Sequence, residues 1–493
     1  MRFNEIREMF KLRPYQENCV RSIYDYINSD RHDPVLVVAP VAAGKSLLLA
    51  EAARIMGGNT IILQPSKELL QQNYDKLISY NISATIYSAS CGKKELSNMI
   101  YATLGSVKKV IGQLKEMGIR NVLIDEAHAG YSPEDGSEFM TFMNELKPKK
   151  VIGFTATPCR LKTMSIGQVS YSQLNFITRM RPVYFKNLIH VIQVEEMIRQ
   201  GFWTPLKYET WDFNGDALKL NSNGSEYTAE SISEAVRKNG LNNLILRRLM
   251  VLKDVCRSIL VFMDSVESCN TAAEWMNAKI CAGMAEVVQG GTPKKQREAI
   301  VEGFKSGKTK VVFNYSALGT GFDHPGLDCV IVGRPTFSFS SFYQWLGRAV
   351  RIKDGKDSAL VVDCCNNSSR FGDIRKLSIE NYKGYGWGMF IGDKLITNIP
   401  MGDKVTKTDL DIKAAKKDRR RGLAQGVTAA PVPGRPDHPI GSTVMTFGKY
   451  CGWMLHSIPV SYFKFINETF DWDNDRNKDI KEYIDFLIKN NRL

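Results

Sequence analysis

The sequence predicts an α/β chain with two tandem parallel-sheet domains, followed by a small α-rich module at the C-terminal end. Near-continuous apolar runs recur with amphipathic stretches between them, the pattern of a parallel sheet covered on both faces. The alternation stops between about 165 and 240, in polar text such as DFNGDALKLNSNGSEY, and then resumes. At 493 residues the chain also exceeds one ordinary domain.

In the first series, VLVVAP (35–40), TIILQP (60–65), NVLIDE (121–126) and KVIGFTAT (150–157) read as buried strands. Amphipathic segments at 46–56 and 67–80 supply helices between them. The second series is SILVFM (258–263), AEVVQG (285–290), KVVFNY (310–315), DCVIVG (328–333) and SALVVD (358–363). Residues 401–440 turn rich in Lys/Arg, Ala, Pro and Gly and read as exposed linker. The last block carries aromatics and helical periodicity, as in IKEYIDFLIKN. The expected organisation is a first domain over 1–165, a connecting segment over 166–240, a second domain over 241–385, a basic Pro/Gly linker over 386–440 and a small module over 441–493.

Composition narrows the class. No apolar run approaches the ~18–20 residues of a membrane helix, and MRFNEIREMFKLRPYQ has no secretory core. A cytoplasmic location away from membranes follows as an expectation. The formal net charge of +14 suits a polyanionic partner, because neutralising phosphates releases condensed counterions. Ten cysteines lie scattered, none in a CxxC pair and none with a His spaced to complete a metal site, so reduced core thiols and no zinc are expected.

Ala39-Pro-Val-Ala42-Ala43-Gly44-Lys45-Ser46-Leu47 follows the first strand and opens a helix. Inward backbone N–H groups, a helix N-terminus and a Lys at this point suit the phosphates of a nucleotide, with the Ser hydroxyl meeting Mg²⁺. Ala39 and Ala42 stand where this pattern often has Gly. Farther on, Val122-Leu-Ile-Asp125-Glu126-Ala-His128 is an apolar strand ending in two carboxylates. An Asp there can hold Mg²⁺ opposite Ser46, leaving the Glu to orient and deprotonate water. A third group, Gln344-Trp-Leu-Gly347-Arg348-Ala-Val-Arg351, is spaced to place Gln344, Arg348 and Arg351 on one helix face. Arginines presented across an interface can stabilise charge developing on a transferred phosphoryl group.

These pieces, in this order, resemble superfamily 2 helicases over about residues 12–365. Arg13-Pro-Tyr-Gln16 is similar to an adenine-reading Q-type motif. Gln64-Pro-Ser66-Lys67 resembles motif Ia, and Thr103-Leu-Gly-Ser106 the next strand-contacting motif. Thr155-Ala-Thr157-Pro resembles the coupling motif III, Ser258-Ile-Leu-Val-Phe motif IV, Gly319-Thr320-Gly321-Phe-Asp323 motif V, and 344–351 motif VI. LRPYQ, the DEAH box, IRQGFWTP (198–205) and TGFDHP followed by GRAVR look most like RadD-type bacterial helicases and their phage relatives. Those relatives often carry a cysteine-rich zinc region after the second lobe, which this chain lacks. The last block, with FGKYCGW and IPVSYF, is similar to a small FGKY-G…IP module of phage and bacterial proteins.

The resemblance implies two RecA-like P-loop lobes that close on ATP and Mg²⁺. Lys45 and Ser46 would hold phosphates and metal, Asp125 the metal, Glu126 the water, Arg348 and Arg351 the γ-phosphate from the second lobe. Arg13 and Gln16 would frame adenine, and Asp323 would touch the ribose. Strand contacts would come from Ser66, Lys67, Thr103, Thr155 and Thr157 on one lobe, and from a 314–320 loop including Thr320 on the other. His128 would link the nucleotide and strand sites by bonding near Gln344. The function implied is ATP-dependent unwinding of, or movement along, single-stranded or branched DNA in replication, recombination or repair. RNA remains open as the substrate, as does a motor that serves a partner nuclease in a restriction or defence complex. Residues 441–493 could bind a protein partner.

Overall fold

The computed structural model describes residues 12–166, 169–317, 322–414, 443–446, 450, 453–458, 460–469 and 477–490. Packing divides the chain into two units, Met1–Asn381 with Trp387–Val405, and Tyr382–Gly386 with Thr406–Leu493. Both parallel sheets lie in the first unit.

In the first lobe the strands run in the order Asn187–Val191, Val35–Val38, Lys150–Thr155, Asn121–Ile124, Thr60–Leu63, Met99–Ala102, Thr85–Ser88 and Lys93–Lys94. All neighbours are parallel except the last pair. The central strands are apolar on both faces because helices cover both. Val35 through Val38 are wholly buried, as are Ile61 through Leu63 and Val122 through Ile124. Helices Lys45–Met56 and Lys67–Ile78 form where amphipathic spacing places them. Ser66 caps the second, its hydroxyl accepting from the Leu69 N–H.

The second lobe is also all-parallel, in the order Leu206–Thr210, Ala359–Asp363, Cys329–Val332, Ile259–Phe262, Val311–Tyr315 and Ala285–Gln289. Two doubly covered parallel sheets are thus present, as the apolar runs imply. The nucleotide loop lies at the C-terminal end of Val35–Val38, where an open α/β sheet binds ligands, whereas the arginines come from the entry side of the second sheet, where the Val350 carbonyl accepts from the Thr204 N–H just before Leu206–Thr210.

Residues 166–240 are not a separate connecting segment. Asn187–Val191 becomes the edge strand of the first sheet, pairing with Val35–Val38, while Leu206–Thr210 becomes the edge of the second, pairing with Ala359–Asp363. These two strands, NLIHV and LKYET, are half-solvated and carry no continuous apolar run, so they escape a search for one. Cys159–Ile166 and Val169–Phe176 form a long antiparallel hairpin after the first sheet.

The start of the expected 386–440 linker is folded too. Gly386–Ile391 is a strand, with Met389 and Phe390 wholly buried, and Phe390 pairs with Leu395. Glycines flanking an apolar run gave it the look of a linker. The Asn398 N–H then donates to the Leu174 carbonyl (2.7 Å) and the Met401 N–H to Ser172 (2.8 Å), lacing this stretch to the hairpin. The basic run at 416–421 lies outside the described residues.

The second unit holds helices Val460–Thr469 and Lys478–Lys489, packed through Phe463, Ile466, Tyr483 and Ile484. Among the described residues no helix is long and apolar enough to cross a membrane.

Candidate nucleotide-binding cleft

The loop after Val35–Val38 stays joined to the sheet through the Ala39 N–H, which donates to the Thr155 carbonyl at 2.9 Å. It then winds through two left-handed residues, Ala42 (φ 64) and Gly44 (φ 81), before the helix begins at Lys45. Left-handed steps turn successive N–H groups inward and make an anion-binding concavity. Gly44 takes that conformation freely, whereas Ala42 holds it with a Cβ, at a cost of roughly 1–2 kcal/mol.

Gln16 supports the loop from behind. Its Nε2 donates to the Ala43 carbonyl (2.8 Å) and its Oε1 accepts from the Arg13 N–H (3.0 Å). A Cβ on Gly44 would lie 2.5 Å from that Nε2, so this glycine is also needed for close approach. Ala43 faces the core and offers the cleft no side chain. The Arg13 guanidinium lies over the Phe202 ring at 4.5 Å, and the Trp203 indole N–H donates to the Val41 carbonyl at 3.0 Å. Phe202 and Trp203 belong to the quoted IRQGFWTP stretch, but nothing in their spacing marked them as neighbours of this loop.

The two carboxylates face Lys45. Its ammonium bonds Glu126 Oε1 and lies 3.2 Å from Asp125 Oδ1. Burial alone would lower the Lys45 pKa, but the two carboxylates outweigh it and the pKa is raised. Asp125 is raised by burial, with Lys45 opposing. Asp125 is further held by the Glu126 N–H at 2.9 Å and by Asn73 Nδ2 at 2.8 Å. Asn73 also donates to Gln64 at 3.0 Å. This buried Gln64–Asn73–Asp125 chain fixes the carboxylate's orientation, and Asn73 escapes a sequence search because Asn has no distinctive spacing here. Glu126 stands at φ 46, and its Oε2 is buried with no hydrogen-bond partner among the described residues.

The opposite wall comes from the second lobe, and its geometry differs from one continuous helix face. The helix Phe339–Leu346 stops before the arginines. The Arg348 N–H reaches the Trp345 carbonyl (3.2 Å) and the Ala349 N–H that of Leu346 (3.0 Å), so the chain tightens into turns. Gly347 is the close contact: a Cβ there would lie 2.6–2.8 Å from the Val41 side chain of the phosphate loop.

Arg348 is buried and donates to the Phe322 carbonyl at 2.7 Å. Burial lowers its pKa, with Arg351 adding repulsion. Arg351 pairs through Nε with Asp323 at 3.0 Å, so Asp323 is engaged by an arginine, and Arg351 Nη1 has no partner among the described residues. Gln344, Asp323 and both arginines line the same cleft, of about 880 Å³, as Lys45, Ser46, Leu47 and Glu126. Such a volume suits a nucleotide-sized ligand.

A hydrogen-bonded bridge crosses between the lobes beside the cleft. His128 Nδ1 lies 2.8 Å from Thr155 Oγ1, and its Nε2 lies 3.2 Å from Ser340 Oγ, which in turn lies 3.0 Å from Thr157 Oγ1. His128 thus bonds one turn before Gln344 rather than beside it. Burial, reinforced by Lys45 and Arg160, lowers its pKa to about 3, so it is neutral at physiological pH. Thr155 and Thr157, which the resemblance makes strand contacts, are wholly buried here with their hydroxyls engaged in this bridge. Lys67 is exposed, while Ser66 and Thr103 are half-buried and bonded locally, Thr103 to Ser106 at 3.0 Å. Thr320 lies outside the described residues.

Two RecA-like lobes with a phosphate loop on one and paired arginines on the other define a class, the nucleotide-driven motors. Residues 9–160 match the family described as type III restriction enzyme, res subunit, and residues 242–353 the helicase conserved C-terminal domain. The chain belongs to the superfamily 2 helicases. A Saccharomyces cerevisiae protein provisionally named ATP-dependent helicase IRC3 is 24% identical over 73% of this chain and 52% of its own length. The Sulfurisphaera tokodaii DNA 3'-5' translocase XPB2 is 24% identical over 73% of this chain and 82% of its own. A solved structure of the ATP-dependent type ISP restriction-modification enzyme LlaBIII bound to DNA superposes with a TM-score of 0.52 at 16% identity, over 72% of this chain and 28% of that one. Against the yeast protein and two further curated relatives the chain spans 52–65% of the relative's length.

Proposed function

We propose that the chain is an ATP-driven DNA translocase or helicase acting on single-stranded, forked or branched DNA, of a RadD-like kind. The observation that carries the reading is the cleft itself: Lys45, Asp125 and Glu126 face Arg348 and Arg351 across two lobes. In this reading Lys45 and the 42–47 backbone grip the phosphates, and Glu126, whose Oε2 makes no hydrogen bond among the described residues and lies 3.4 Å from His128 Nδ1, orients and deprotonates the attacking water. The Nη1 of Arg351, which has no hydrogen-bond partner among the described residues, is available for γ-phosphate oxygens. Mg²⁺, if bound with ATP, would neutralise phosphate charge, and the donor set fits it: Ser46 opens the helix and Asp125 is already oriented by Asn73. Gln16 acts here through the loop backbone as well as beside the base.

Closure should follow ATP, because the arginines gain their ligand only when the γ-phosphate is present. The His128–Thr155–Ser340–Thr157 bridge supports transmission between lobes. The net charge of +14 supports a phosphate backbone as the track. Lys45→Ala and Glu126→Gln should each reduce nucleic-acid-stimulated ATP hydrolysis by ~10²-fold or more, with an unchanged melting profile. Full stimulated turnover in purified Glu126→Gln would remove that residue from the mechanism. Stimulation compared across single-stranded DNA, forked DNA and RNA decides the track; preference for RNA would overturn the DNA assignment.

A second reading, a motor serving a partner nuclease, is favoured by the restriction-enzyme family match over 9–160. Co-purification of a nuclease subunit from native cells would support it.

A further inference from the structure

The turn that carries both arginines lies beyond the end of its helix, so something else must hold its shape. Lys356 reaches back to it. The Lys356 ammonium donates to three backbone carbonyls: Ala349 at 2.6 Å, Arg351 at 2.8 Å and Pro325 at 3.1 Å. An ammonium has three N–H donors, so these bonds use all of them. Two acceptors belong to the arginine turn. The third lies two residues from Asp323, whose carboxylate pairs with Arg351. One side chain therefore closes a ring of contacts through both segments of the second lobe that face the cleft.

We propose that Lys356 is a positioning residue for ATP turnover, tying the 349–351 turn to the 323–325 loop so that Arg348 and Arg351 are presented together. This rests on the reading of the two arginines given above. Groups that stabilise a developing charge act only when held in place beforehand. Lys356 itself need not touch the nucleotide.

The surroundings give the device a pH signature. Burial lowers the Lys356 pKa to about 8; Asp328 opposes this, while Arg351 and Lys353 add repulsion. Arg257, Lys305, His324 and Asp357 line the same recess. Loss of the proton leaves two donors for three carbonyls. The sign is therefore a fall in activity as pH rises through about 8.

The test is steady-state ATP hydrolysis by the full chain at a saturating single-stranded oligodeoxynucleotide. Lys356→Met should lower kcat by ~10-fold or more while the KM for ATP moves by less than ~3-fold, because ground-state ATP is held by the other lobe. Lys356→Arg should restore most of the turnover and, keeping its charge, should lack the decline above pH 8. In the Arg351→Ala chain, Lys356→Met should lower kcat by a smaller factor than it does in the wild-type chain, since only Arg348 is then left to misplace. Wild-type kcat in Lys356→Met beside a disabled Arg351→Ala overturns the proposal, as does a raised KM with kcat unchanged. Wild-type turnover in Arg351→Ala would instead overturn the arginine reading. Should Lys356→Met fail to fold by circular dichroism, Lys356→Gln carries the same readouts.

Discussion

Ala42 holds a left-handed backbone (φ 64) inside the phosphate loop, a conformation that favours glycine. The residue is legible in the sequence as a departure from the usual pattern, but its conformation is not, since only the folded loop sets φ. Ala42→Gly should relieve the strain and also loosen the unfolded chain, and these effects oppose. The expected net is a stability change within about 1 kcal/mol, with ATP turnover retained; a large loss of turnover would show that the Ala42 methyl is itself needed. Asp125, Glu126 and Lys45 were readable from residue type and position, because an apolar strand ending in two acids has few structural explanations. Asn73, Phe202 and Trp203 were not. They reach the site through space, from a helix face and a loop far along the chain, and their residue types carry no chemistry that spacing alone can flag.

At the scale of elements, most central strands announce themselves by unbroken apolar runs, and both sheets form where those runs lie. Asn187–Val191 and Leu206–Thr210 do not, because one side faces solvent and their composition is mixed, and the short buried strand Met99–Ala102 escapes as well. The helix carrying Gln344 is the instructive case. Spacings of four and three suit one helical face, yet the helix ends at Leu346 and the arginines sit in a turn. Gly347 stands just past that helix end and leaves room for the phosphate loop. Gly347→Ala would place a methyl 2.6–2.8 Å from Val41 atoms and force the two segments apart. Overpacking of this kind costs about 1–3 kcal/mol. The expected outcome is a lowered melting temperature together with reduced stimulated ATP turnover, and Val41→Ala in the same chain should recover part of both. Turnover unaffected by Gly347→Ala would mean that this contact is not part of the working cleft.

For the whole molecule, both lobes and the cleft lie within the first unit, and the second has its own core around Phe463, Tyr483 and Ile484. A chain ending at Val405 should therefore keep nucleic-acid-stimulated ATPase activity within about threefold of the full chain, since no nucleotide-site residue is lost. Unwinding of tailed duplexes, forks and junctions by the two forms would show what residues 406–493 contribute. Collapse of ATPase activity in the shorter chain would tie that unit to the motor itself.

The amino-acid sequence by itself determined that two parallel sheets form and which charged residues end their strands, because burial on both faces demands apolar runs and leaves polar groups at the strand ends. Only the tertiary structure decided which lobe claims each edge strand and that the arginines stand in a turn rather than on a helix. It alone also brought Thr155, Thr157, His128 and Ser340 into one bridge, because those outcomes depend on contacts between segments distant in the chain.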